Sequence, residues 1–185
     1  YRLGAMLIEG VGAAANPAAG RRWLRKAAQA GDARAQLNLG RNYMEGIGVA
    51  RSGKQAVRWL AKAAGQNSAE AMLLLGWISE HGAAGLLPEP EKAFGWYEKA
   101  AALGQPKAKL HIAGMLLSGR GAEPDAARAI KLYEESFADG VAESAFNLGC
   151  VYMAGKDVAR DDKKAAAWFR KAADKNLAAA QLNLG

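Results

Sequence analysis

A ladder of small residues runs the length of the chain: Gly4, Gly40, Gly76, Ala113, Gly149 and Gly185 stand 36, 36, 37, 36 and 36 positions apart. Two more ladders follow the same period, Gly10, Gly46, Gly82, Gly119, Gly155 and Trp23, Trp59, Trp96, Leu132, Trp168. The hexapeptide AQLNLG at 35–40 returns unchanged at 180–185, four periods on. Three ladders in one register define an internal repeat, so the fold is assembled from copies of one small unit. Such units cannot bury an apolar face alone and must stack on their neighbours.

Each unit reads as two helices. In residues 32–67, Ala35, Gln36, Leu39, Gly40 and Tyr43 share one side of a helix, with Arg34, Asn38, Arg41 and Glu45 on the other. Ala56, Trp59, Leu60, Ala63 and Ala64 then form the apolar stripe of a second helix. No stretch reads as a strand. Ahead of each second helix stand Asn16, Ser52, Glu89, Asp125 and Asp161, and four of these five are strong N-caps. Pro17 and Pro90 follow at the first helical position, where a missing N–H is harmless. The far ends fall on Gly31, Asn67, Gly104, Gly140 and Asn176, the two residue types that readily take the left-handed conformation closing a helix. The column of Gly40 lies inside a helix, where glycine costs about 1 kcal/mol against alanine. That predicts close approach of the paired helices there, whereas the column of Gly46 ends the first helix.

The period divides the chain, as one array, into a partial repeat at 1–31, full repeats at 32–67, 68–104, 105–140 and 141–176, and the start of another at 177–185. The broken ends leave Leu3, Leu182 and Leu184 without a stacking neighbour, which predicts a fragment of a longer array and end-to-end association. No apolar run reaches the roughly 18 residues of a membrane span. The lone Cys150 excludes an internal disulfide framework and a cysteine-based zinc site. The net charge of +7 is uneven: residues 1–67 carry +8, 68–140 carry −3 and 141–185 carry +2. The chain is therefore polar along its length and not basic throughout.

The motif AQLNLGRNYMEGIGV, then KQAVRWLAKAA, then Gly or Asn, in five aligned copies, resembles the Sel-one-like (SLR) repeat family, relatives of the tetratricopeptide repeat. The resemblance covers essentially the whole chain. It implies an all-α, right-handed α–α superhelix (solenoid) of stacked antiparallel helix pairs, with first helices lining the concave face. It also implies an interaction scaffold with no cofactor and no turnover, and, by family habit, a bacterial periplasmic or envelope home. Departures are Ser79 and Leu116 for the first-helix Tyr, Leu132 for Trp, and Glu134–Phe137 for the usual Lys-Ala-Ala, which makes repeat 105–140 the most divergent.

A partner-binding surface on that face would use Arg34, Asn38, Arg41, Leu74, Trp77, His111 and Asn147, all in outward columns of the first helices. Trp77 occupies a column otherwise held by small or charged residues and is either a peptide anchor or packed against a neighbouring helix. The asparagines match the column where related tetratricopeptide grooves hold a peptide backbone, and a solvated polar face explains them equally. His81 and His111 fall on different helices, so the expectation is no metal and no cofactor. Cys150, with no histidine in its repeat, reads as a semi-buried thiol. The run Arg21, Arg22, Arg25, Lys26 reads as a solvated face.

No nucleophile elbow, phosphate loop or close carboxylate pair is present, so no catalytic residue is named and the chain is expected not to be an enzyme. The basic first third would attract phosphate, which keeps an RNA-binding helical-repeat protein as the alternative, beside a regulatory segment of a larger multidomain protein. The acidic middle and the absence of recurring aromatic platforms argue against nucleic acid. A protein or peptide partner fits best, steered by the charge reversal along the chain.

Overall fold

The computed structural model describes residues 2, 4, 6, 16–156 and 158–175. The second AQLNLG copy, Asn176, Gly10, Leu3, Leu182, Leu184 and the stretch 177–185 lie outside the described residues. Nine helices follow one another among the described residues 16–175: α1 Pro17–Gln29, α2 Ala33–Glu45, α3 Gly53–Ala64, α4 Ala69–His81, α5 Pro90–Ala102, α6 Pro106–Ser118, α7 Ala126–Ala138, α8 Ala142–Ala154 and α9 Asp162–Asp174. No strand occurs among them; the one sheet-like feature is an isolated antiparallel bridge between Ala83 and Leu86. The chain forms two compact units, 1–103 and 104–185.

The helix ends follow from the residues that mark them. Asn16, Ser52, Asp125 and Asp161 each accept a hydrogen bond from the backbone N–H three residues on, while Glu89 caps nothing with its side chain. Pro17 and Pro90 open α1 and α5. First helices close on Gly46, Gly119 and Gly155 in left-handed geometry. Second helices are followed by Gly31, Asn67, Gly104 and Gly140, all at positive φ, and Asn67 is the one non-glycine residue described there.

In the first unit α1 packs on α2, α2 on α3, α3 on α4 and α4 on α5; in the second, α6 packs on α7, α7 on α8 and α8 on α9. This is the all-α arrangement of stacked neighbouring helix pairs that defines an α–α solenoid. The pairs approach closely at the small-residue column. A Cβ added to Gly40 would stand 2.6 Å from Leu60 Cγ, and at Gly76 and Gly149 it would stand 2.5 Å from ring atoms of Tyr97 and Phe169. Glycine is therefore demanded by the facing side chain, and the lost helix propensity is offset by packing.

The first core gathers Leu24, Ala28, Ala35, Leu39 and Trp59, with Ala27 and Tyr43 against it. In the second unit Ala145 and Ala172 pack with Phe137, Phe146, Trp168 and Ala173, the rings of Phe137 and Trp168 meeting edge to face at 5.8 Å. In four second helices a lysine one turn past the ladder tryptophan lies over its ring: Lys26 on Trp23, Lys62 on Trp59, Lys99 on Trp96 and Lys171 on Trp168, at 3.7–5.1 Å from the centroid.

Candidate binding surface

The outward residues of the first helices fall four and then three apart, so each helix carries one stripe: Arg34, Asn38 and Arg41 on α2, Glu70, Leu74 and Trp77 on α4. The guanidinium of Arg41 donates to the carboxylate of Glu70, joining the two stripes side by side. Trp77 is 39% exposed. Its ring stacks on His81, one turn along α4, with centroids 4.9 Å apart and planes 24° from parallel. The His81 ring nitrogen Nδ1 lies 3.1 Å from the Trp77 carbonyl oxygen, which holds the imidazole in place. The first unit thus presents an indole–imidazole platform beside an Arg–Glu pair. His81 is the member that sequence reasoning set aside, although Trp and His four apart on a helix were the signal for it.

Arg34 is exposed and lines a 560 Å³ depression with Arg2, Asp32 and Gln66. Asn38 and Leu74 are half-buried. In the second unit His111 on α6 and Asn147 on α8 are half-buried, and Asn147 hydrogen-bonds the phenol of Tyr133. That bond favours the ionised phenol, but burial dominates and pushes Tyr133 up to about 12. Asn147 is therefore engaged in holding α7 to α8.

Cys150 is half-buried, and burial pushes its thiol above the ordinary cysteine range, which keeps it protonated and a poor nucleophile at neutral pH. Among the described residues no three of His, Cys, Asp and Glu are grouped to hold a metal ion, and no helix is long and apolar enough to cross a membrane. Of the basic run, Arg22, Arg25 and Lys26 are exposed and Arg21 half-buried, and the four line a 380 Å³ cleft with Gly48 and Val49.

Stacked helix pairs with residues that vary on one stripe and repeat on the packing faces define a class: α–α repeat proteins. The comparisons narrow the class. The Sel1 repeat model matches residues 1–32, 33–68, 69–105, 106–141 and 142–177, and the chain belongs to the Sel1 repeat family. A Sel1 repeat protein from Oxalobacter formigenes is 32% identical over 99% of this chain and 74% of its own, with a TM-score of 0.85. A protective antigen of uropathogenic Escherichia coli displaying an SLR fold is also 32% identical over 99% of this chain, with a TM-score of 0.86, but this chain spans 39% of its length. A Sel1 repeat protein from Klebsiella pneumoniae is 25% identical over 85% of this chain, with a TM-score of 0.64. Among curated proteins none matches the chain. Members of the family are generally protein-interaction scaffolds.

Proposed function

We propose that this chain is a non-catalytic adaptor that binds a peptide or a loop of another protein on its first-helix face. The observation that carries the reading is the Arg41–Glu70 pair, which sets the stripes of α2 and α4 side by side with a partly exposed tryptophan between solvent and the helix. A large rigid aromatic surface with a donor N–H suits a binding anchor. Arg34, Asn38 and Leu74 stand in the outward columns of the same two helices, and His111 and Asn147 continue the column of Asn38 and Leu74 in the second unit. The partner is a protein, and the envelope or periplasm is the proposed setting by family habit.

The test is affinity capture with the wild-type chain and its Trp77→Ala variant, both checked for helicity by circular dichroism. Loss of a specific partner from the variant supports the reading. A partner retained at unchanged affinity removes its central residue. A salt-dependent RNA mobility shift is the matching check on the RNA reading, and no shift at low salt closes it.

A further inference from the structure

The extra residue of the second full repeat can be located. Gly46 to Gly82 spans 36 positions but Ser52 to Glu89 spans 37, so the addition lies between Gly82 and Glu89. There the chain makes a tight hairpin closed by the Ala83–Leu86 bridge, with Gly85 at φ +83°. The Ala84 carbonyl accepts from the Gly53 N–H at 3.1 Å, tying the hairpin to the start of α3. Leu86 sits over Gly53, where a Cβ would come within 3.0 Å of it.

The hairpin roofs a 330 Å³ cleft between α3 and α5. Leu75 and Ile78 of α4 form its buried floor, Trp96 its wall, and Lys54, Lys92 and Glu89, the last paired with Lys92, its rim. Leu87, at the mouth, is 85% exposed. On the other side of Trp96 a shallower cleft of 310 Å³ is lined by Lys92, Gly95 and Lys99. Glu89 pairs with Lys92, which leaves Lys54 and Lys99 without a carboxylate partner among the described residues. Lys99 lies 4.6 Å over the Trp96 ring.

Gly95 is the residue that packing does not explain. A Cβ there meets nothing within 4 Å, unlike Gly40 or Gly76, yet it stands inside α5 at a loss of about 1 kcal/mol against alanine. Its column elsewhere reads Arg22, Arg58, Lys131 and Ala167. A long side chain at that place would fill the second cleft; glycine keeps it open.

We propose that the two clefts flanking Trp96 form one docking site, separate from the first-helix face, for a partner segment in which a bulky apolar residue is followed within a few positions by carboxylates. The apolar side chain enters the cleft over Leu75 and Ile78, whose size is at the small end of ligand pockets, about 300–1,000 Å³. The carboxylates meet Lys54 at the rim of that cleft and, across Trp96, Lys99, neither of which has a carboxylate partner among the described residues.

The experiment is selection of displayed random peptides on the immobilised chain, followed by affinity measurement of the enriched peptides on variants. Enriched sequences are expected to pair Leu, Ile, Phe or Trp with neighbouring Asp or Glu. Their affinity falls roughly tenfold or more in Gly95→Arg, falls in Lys54→Glu and at high salt, and is unchanged in Trp77→Ala. Gly95→Arg restores the residue type of its column, so its melting temperature is at or above that of the wild type, which separates a blocked site from a damaged fold. Equal binding to Gly95→Arg, enrichment of peptides lacking carboxylates, no enrichment, or preferential displacement by single-stranded RNA each overturns the proposal. Binding lost only in Trp77→Ala overturns it too, and assigns the peptides to the first-helix face.

Discussion

Gly76 and Tyr97 show how single positions set the stability of this chain. The Tyr97 hydroxyl donates to Glu80 Oε2 at 2.8 Å, and burial first, then that carboxylate, pushes the phenol far above its ordinary range. Tyr133 is held up at about 12 by burial, and Lys109 is raised chiefly by its hydrogen bond to Asp139. All three bind their protons more tightly folded than unfolded. Their contribution is thus complete below the unfolded values near 10 and is lost as pH rises above them. Urea midpoints are expected to stay level to about pH 9 and then fall, each differential tyrosine contributing about 1.4 kcal/mol per pH unit; a level profile through pH 11 contradicts this. The glycines separate by what faces them. Gly76→Ala drives a Cβ to 2.5 Å from the Tyr97 ring and is expected to lower stability by about 1–3 kcal/mol. Gly95→Ala, with open space, is expected to raise it by up to about 1 kcal/mol. Thermal melts of the two variants side by side decide the point.

Among the elements, α7 is where the repeat pattern is rewritten in pairs. Leu132 and Glu135 stand where other second helices carry a tryptophan and its covering lysine, and Glu135 instead joins Asp139 in holding Lys109 of α6, at 3.2 and 2.8 Å. Ser136 and Ser144 replace the alanines seen at Ala63 and Ala71. Both are fully buried: Ser144 donates to Ser136 Oγ at 2.8 Å, and Ser136 donates to the Pro106 carbonyl at 2.9 Å, so one chain of hydroxyls ties α8 and α7 to the start of α6. Removing one hydroxyl strands its neighbour. Ser136→Ala alone is expected to lose about 1–3 kcal/mol, while the double change to alanine loses less than the sum of the single ones. Additive losses in a double-mutant cycle would contradict the coupling. Divergence read from sequence at 134–137 is thus a change of partner and not a defect in the helix, which runs unbroken from Ala126 to Ala138.

At the scale of the molecule, charge is uneven, +8 over residues 1–67 and −3 over 68–140, which favours an acidic partner at the first of these stretches. Capture of an acidic partner is expected to weaken steadily as ionic strength rises from about 0.1 to about 1 M, because the screening length shortens from about 10 to about 3 Å. Salt-independent capture would shift the explanation to apolar contact alone. Helix number, ends and pairing were legible without coordinates, because they rest on local rules repeated in register: Asp125 caps, Asn67 closes, Gly40 makes room for Leu60. So was the shared helix face of Arg34, Asn38 and Arg41, since position on a helix follows from spacing, which leaves open whether Trp77 is exposed or packed. Other features needed the packed chain. That Trp77 rests on His81, that Asn147 is taken up by Tyr133, and that a hairpin at 83–86 and an unfilled Gly95 open clefts around Trp96 all depend on which side chains meet once the helices stack. Periodicity specifies the direction in which a side chain leaves its helix; what it meets there is decided by residues far away along the chain, brought close by tertiary packing.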